Sequence, residues 1–343
     1  MVRLRASHAS RRKATAAAWI GLSFYLSLGG LGRTARAQSG GDDLEVVRVR
    51  PNFYMIAGAG GNIGVQIGDD GIVLVDAGTR EASSRVVAAI RKLDPQPIRY
   101  IIDTGPDADH VGGNGQLAKA GRSIFAMGPE PVGGEFAKEM TNGYAASILA
   151  TENVLMRMSA PTGLASPFPN DTWPTETFRE NRRYVYFNHE GIEILRQPSA
   201  HSDADSVVFF RASDVIVAGD VFDATRFPAI DLQKGGSIQG EIAALNRLIG
   251  LSVRPMPLAF ENGGTRILPG HGRVSDQLDV VEYRDMLVIV RDVIEDLRKQ
   301  GLTLAQVQAK GPAKGYEPLY GAKTGPWTTG QFVESVYRSL AGK

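Results

Sequence analysis

The chain runs to 343 residues, with 38 basic and 37 acidic side chains, five histidines and no cysteine. Without cysteine there are neither disulfides nor thiolate ligands, so any bound metal must rest on His, Asp, Glu or water. No cluster of Lys and Arg interleaved with aromatics occurs, which sets nucleic acid aside and leaves a small-molecule substrate as the expected partner.

Residues 1–37 read as an export signal rather than as part of a fold. They carry seven basic residues (Arg3, Arg5, Arg11, Arg12, Lys13, Arg33, Arg36) and no acidic one. An apolar stretch runs from Ala14 to Leu31, and Ala35-Arg36-Ala37 offers small residues where a signal peptidase would cut, before Gln38. Gly29 and Gly30 interrupt the apolar stretch, which argues against a retained anchor. Ser10-Arg11-Arg12 is compatible with twin-arginine export, and the general secretory (Sec) route is the alternative. The expected location is periplasmic or secreted, with no stable membrane anchor after cleavage. Removing the signal would leave 31 basic against 37 acidic residues. A remainder of roughly 300 residues suffices for one large domain or two small ones.

Downstream, residues 52–57, 64–68 and 71–76 read as short strands, the last two joined by a hairpin turn at Asp69-Asp70-Gly71. Residues 81–93 place Val86, Val87 and Ile90 on one helical face. A buried strand is expected at 98–103, a short helix at 113–120 and another strand at 123–127. Residues 135–158 read as helical, with Met140, Tyr144, Ile148, Leu155 and Met158 as an apolar stripe. The stretch 160–177, rich in Pro, Ser, Thr and Gly, follows. The window 128–180 is therefore expected to be a helical insertion, either a lid over a site or a cover for core. Strands at 184–187, 192–195, 206–210 and 215–218, a helix at 241–251 and a strand ending at Ile267-Leu268 come next. A long amphipathic helix at 277–300, a helix at 303–310 capped by Thr303, and a last helix at 331–340 close the chain. Strands alternating with helices point to an α/β (α+β sandwich) class with helices packed on sheet.

Four histidines lie beyond the signal. His189 sits in the turn Asn188-His189-Glu190-Gly191 and is expected to be solvated. His110, His201 and His271 each follow an apolar run or strand end, beside small residues. At the end of the 98–103 strand, Asp107, Asp109 and His110 fall within four residues, so a carboxylate and an imidazole on one tight turn can converge on an ion.

Five fragments in order carry a resemblance. They are Val73-Leu74-Val75-Asp76-Ala77-Gly78, Asp109-His110-Val111-Gly112-Gly113-Asn114, Ala200-His201-Ser202-Asp203-Ala204-Asp205, Ala218-Gly219-Asp220-Val221-Phe222 and Pro269-Gly270-His271-Gly272. Together they resemble the motifs of the metallo-β-lactamase-fold metallo-hydrolase superfamily. That family's loop reads T-H-x-H-x-D-H-x-G-G, and here Gly105 and Asp107 stand in place of its first two histidines. The resemblance covers about residues 45–275. It implies a four-layer αββα fold for that domain, with 276–343 as a C-terminal helical extension packed on it.

The resemblance also implies metal ligands. One ion would rest on Asp109, His110, Asp220 and His271. A second, at Asp107, His201 and Asp220, would be richer in oxygen. Zn²⁺ is the expected ion, one per chain, with Mn²⁺ or Fe²⁺ as alternatives and two ions as the fuller loading; an empty site on a non-catalytic ligand-binding protein is the competing reading. The implied activity is metal-dependent hydrolysis, by metal-bound hydroxide, of an ester, lactone, lactam, phosphoester or sulfoester. Asp107 and Asp109 are the catalytic candidates, Asp107 as the group that orients the water or takes its proton. Asp76 and Asp205 are candidates for holding the histidines from behind. For a lactam carboxylate, Arg157, Arg179, Arg182 and Arg183 are the available cations.

Overall fold

The computed structural model describes residues 44–126, 133–140, 143–161, 163–256 and 263–342. The expected export signal lies outside the described residues. The strands, in chain order, are β1 (Glu45–Arg50), β2 (Phe53–Ala57), β3 (Ile63–Gly68), β4 (Gly71–Val75), β5 (Ile98–Ile102), β6 (Ser147–Thr151), β7 (Glu176–Phe178), β8 (Arg182–Phe187), β9 (Glu190–Gln197), β10 (Asp205–Phe210), β11 (Val215–Asp223) and β12 (Arg266–His271). The helices are α1 (Ser83–Leu93), α2 (Ala108–Val111), α3 (Asn114–Ala120), α4 (Gly134–Met140), α5 (Glu152–Met158), α6 (Ile238–Leu251), α7 (Gln277–Lys299), α8 (Leu304–Lys310), α9 (Glu317–Tyr320) and α10 (Thr329–Ser339).

Strands β1 to β7 form one sheet in sequence order, antiparallel from β1 to β4 and parallel from β4 to β7. The second sheet runs β12-β11-β10-β9-β8, with only β11 and β12 parallel. The two-residue period of a strand explains how the sheets stack. In β4, Ile72 and Leu74 join Val86 and Ile90 of α1 and Leu117 of α3, whereas Val73 and Val75 face the other sheet. In β10, Val208 and Phe210 meet that same inter-sheet core, and Val207 and Phe209 turn to the helices beyond. Both strands are buried on both faces, so their sequences are almost unbroken apolar runs. The order is helix, sheet, sheet, helix, the four-layer arrangement expected.

The outer helical layer over the second sheet is α6, α7 and α10, packed around Leu245, Leu248, Tyr283, Leu287, Val290 and Phe332. Helix α7 begins with a reciprocal capping box between Asp276 and Asp279, and α8 with one between Thr303 and Gln306. The C-terminal helices therefore share the core of the second sheet. Among the described residues no helix is long and apolar enough to cross a membrane.

Three expectations fail. Residues 135–158 are not one helix: α4 ends by residue 140, and Ser147–Thr151 is β6, a strand paired with β5 on one side and β7 on the other. Ile148 is thus buried in a sheet rather than on a helical stripe, and only Leu155 and Met158 of that stripe lie on α5. The window 128–180 therefore contributes two strands to the first sheet; its residues 128–132, 141–142 and 162 lie outside the described residues. Of the strand expected at 123–127, residues 123–126 are not a strand either, and residue 127 lies outside the described residues. Ile124–Ala126 is a single 3-10 turn, because β6 occupies the place beside β5 that this segment would have needed. Finally, β1, not anticipated from sequence, adds an edge to the first sheet.

Candidate metal centre

The site lies where strand ends of both sheets meet. β5 leaves the sheet at Asp103-Thr104 and turns through Gly105 and Pro106 into the single turn α2, which carries Asp109 and His110. Asp107 stands just before it, and its carbonyl accepts from the His110 and Val111 amides at 2.9 and 3.0 Å. Between β9 and β10 the loop carries His201. From the second sheet β11 supplies Asp220 and β12 ends on His271.

Asp220 reaches the cleft through a bulge. The β11–β12 register slips on either side of Gly219, which has φ +53°. A Cβ on Gly219 would lie 2.3 Å from Thr104 Oγ1, so only glycine permits both this backbone and this approach.

Two groups of donors result. In the first, His110 Nε2 lies 3.2 Å from Asp220 Oδ1, and His271 Nε2 lies 3.2 Å from Asp109 Oδ2 and 3.7 Å from Asp220 Oδ1. Yet His110 Nε2, His271 Nε2 and Asp220 Oδ1 are buried with no hydrogen-bond partner. They are close but not aligned donor to acceptor. Buried polar atoms left this way cost about 1–3 kcal/mol each. Donors at about 2.0–2.1 Å from one ion in tetrahedral array stand roughly 3.3 Å apart; the separations of 3.2, 3.2 and 3.7 Å lie near that spacing, and Asp109, His110 and His271 offer atoms within 4.8 Å of one another. In the second group, Asp107, His201 and Asp220 offer atoms within 4.8 Å of one another. Here Asp107 and His201 are satisfied, though Asp220 Oδ1 is not: Asp107 Oδ2 meets His201 Nε2 at 3.0 Å, and Asp107 Oδ1 accepts from Lys234 Nζ at 3.1 Å. Asp220 stands between the groups.

Crowded carboxylates and imidazoles polarise each other. Burial opposes the charge of His110, but Asp220 and Asp76 outweigh it and hold the imidazole well above its ordinary range. Burial likewise works against His201, whose contacts with Asp107 and with Asp220 raise it to about 10. Desolvation would lift Asp107; His201 and Lys234 overcome it and bring the carboxyl down to about 2. An ion entering the first group therefore competes with protons.

Behind the donors, Asp76 sits at the end of β4 with φ +64°. Its carboxylate accepts from the Thr104 amide at 2.8 Å and from Thr104 Oγ1, and meets His110 Nδ1 at 2.8 Å. Asp205 differs from expectation. Its carboxylate accepts from the Ser202 amide and hydroxyl, and burial raises it to about 7. His201 is instead held through Nδ1 by the Ala229 carbonyl. His189 is exposed beside Asp69, away from both groups.

Several residues of the site were not anticipated. Asn62 donates through Nδ2 to the Pro269 and Gly272 carbonyls at 2.9 Å, pinning the His271 turn. A cleft of about 200 Å³ opens over the donors, lined by Asp107, Asp109, His201, Asp220, Asp223, Arg226 and Ala229. Arg226 Nε is held by Asp223 Oδ2 at 2.6 Å. The segment bearing Arg226, Ala229 and Lys234 rests on the C-terminal helices: Tyr283 donates to the Arg226 carbonyl at 3.0 Å, and Phe227 stacks on Phe332 with centroids 4.4 Å apart. The only sequence signals were the Gly-rich run before Asn62 and the charged residues after Asp220.

Part of the window read as either a lid or a cover for core braces the His201 loop. Thr151 and Asn153 donate to the Ala204 and Asp203 carbonyls, and Arg157 pairs with Asp203 at 2.8 Å, fixing the loop that carries His201. Arg179, Arg182 and Arg183 pair with Glu152, Glu193 and Glu176. None of these four arginines lines the cleft.

Comparison with known proteins adds three findings. A family model described as the metallo-beta-lactamase superfamily matches residues 57–259. A linear primary-alkylsulfatase of Pseudomonas sp. (strain ATCC 19151) is 22% identical over 306 residues, covering 80% of this chain and 54% of the relative. The solved structure of the stereoselective inverting sec-alkylsulfatase Pisa1 from Pseudomonas sp. is 13% identical, with a TM-score of 0.60 over 87% of this chain and 50% of that one. The chain thus spans about half the length of these relatives, and the structural likeness is one of fold.

Proposed function

The chain belongs to the metallo-β-lactamase superfamily of hydrolases, and on that premise we propose that it hydrolyses sulfate esters with a single divalent ion held by Asp109, His110, Asp220 and His271. The observation that carries this is the set of three buried, unpartnered atoms, His110 Nε2, His271 Nε2 and Asp220 Oδ1, gathered within ligand spacing. Two imidazoles and two carboxylates suit Zn²⁺, with Mn²⁺ or Fe²⁺ as alternatives. When bound, such an ion lowers the pKa of a water toward about 7 and polarises the scissile group.

The chain's own residues supply the rest. Asp107 has both oxygens engaged and a proton affinity lowered by His201 and Lys234. Of the two roles read for it from sequence, orienting the water or taking its proton, these contacts favour orienting. Arg226 lines the cleft and brings positive charge to an anionic ester. The sulfate-ester class is supported by the alkylsulfatase relative that aligns with most of this chain.

Elemental analysis of the purified protein should find about one ion per chain, lost in Asp109→Ala and His271→Ala. A chelator should stop sulfate release from a linear primary alkyl sulfate. Protein that stays metal-free after exposure to zinc, manganese and iron would defeat the reading, and an ion without turnover on any sulfate ester would remove the substrate class. Export belongs to the same proposal, resting on the basic, apolar and small-residue order of residues 1–37. The exported protein should begin at Gln38, and an intact Met1 after export would contradict cleavage.

A further inference from the structure

We propose that Lys234 is the resident cation of the second donor group, its ammonium taking the Asp107 oxygen that a second metal ion shared with His201 and Asp220 would need. This rests on the one-ion reading above and explains why one ion suffices. The two groups differ in a way a shared dinuclear site would not. Three atoms of the first group have no partner. In the second, Asp107 spends one oxygen on His201 and the other on Lys234, and the far nitrogen of His201 is taken by the Ala229 carbonyl. Position 105 offers no donor at all, although its Cβ direction is open, with nothing nearer than Asp205 Oδ1 at 3.7 Å.

Charge agrees with geometry. Asp107, Asp109 and Asp220 all line one cleft. Like charges so placed repel unless cations lie between them. The ammonium meets one oxygen of Asp107 and His201 meets the other, so this carboxylate has its partners without a second ion.

Lys234 is also placed, not merely near. Its Nζ contacts Asp231 Oδ2 at 3.3 Å as well as Asp107, and the side chain is 34% exposed. Its carbonyl accepts from the Asp203 amide at 2.8 Å, and the Asp231 amide donates to the His201 carbonyl at 2.9 Å. The backbone bearing the lysine is thus stitched to the loop bearing His201. An ordinary rim lysine making a weak ion pair has no need of this anchoring.

The test is ion stoichiometry, by elemental analysis and calorimetric titration with Zn²⁺ and with Mn²⁺, on the full chain. The wild type should take one equivalent. Lys234→Met should take two, the second weaker and lost again in Lys234→Met/His201→Ala. Lys234→Arg, which keeps the charge, should stay at one. A Lys234→Met protein that still binds one ion, or a wild type that binds two, overturns the assignment of Lys234 while leaving the first group as a metal site. A wild type that binds none defeats the one-ion reading itself, and this inference with it.

Discussion

Asp220→Ala is expected to leave a folded protein that has lost its ion and hydrolyses sulfate esters at least about 10³-fold more slowly, equivalent to roughly 4 kcal/mol of transition-state stabilisation. The size of the effect follows from position. Asp220 Oδ1 is 3.2 Å from His110 Nε2 and 3.7 Å from His271 Nε2, and the same carboxylate belongs to the group of Asp107 and His201. No other side chain among those described joins both groups. Burial disfavours its charge, yet His110, His201 and His271 more than compensate and hold the carboxyl far below its usual range. Removing it takes away a ligand and the charge around which three imidazoles are arranged. The matched control is His189→Ala, at an exposed turn, which should change neither ion content nor rate. Turnover of Asp220→Ala within tenfold of wild type would remove the proposed centre.

The second large effect is expected at Asp76, which touches no substrate. Asp76→Ala should cost about 3–5 kcal/mol of stability and weaken ion binding by about 10- to 100-fold. The carboxylate is buried and serves the Thr104 amide, the Thr104 hydroxyl and His110 Nδ1. Alanine leaves these donors without an acceptor, at about 1–3 kcal/mol for each unsatisfied group, partly relieved by relaxation. It also places a side chain with no local hydrogen bond at φ +64°, where Asp is better tolerated. Asp76→Asn keeps one oxygen and the backbone preference and should fall in between. The measurements are thermal midpoint and ion affinity. A midpoint for Asp76→Ala within a degree or two of wild type would show that Thr104 and His110 are held by something else.

Much of the centre was legible in the chain because most of its donors sit at or just beyond strand ends, which have local signatures. Asp76 and His271 stand at strand ends beside small residues, Asp109 and His110 on the turn that follows β5 and His201 in the β9–β10 loop, whereas Asp220 lies within β11 beside the bulge at Gly219. The two-sided burial of β4 and β10 was legible for a similar reason, since unbroken apolar runs mark buried strands. Strand β6 was not. Ser147–Thr151 is too short for its period to separate strand from helix. What makes it a strand is the open backbone of β5, more than forty residues away in sequence. Its one local clue is Thr151, whose hydroxyl accepts from the Val154 amide and so starts α5 there.

Asp205 and Lys234 show the same division from opposite sides. The sequence placed Asp205 four residues from His201, and proximity suggested contact. The chain turns sharply there, so the carboxylate faces Ser202 and the histidine finds the carbonyl of Ala229. Lys234 carried no motif, and only folding brings it to Asp107, 127 residues away. Which donors exist, in what order, and that position 105 could contribute none, follow from the residues alone, because side-chain chemistry is local and needs no neighbours. Which atoms are left without partners and which are satisfied follows from folding. That depends on strands from two sheets meeting edge to end, a matter of packing between residues far apart along the chain.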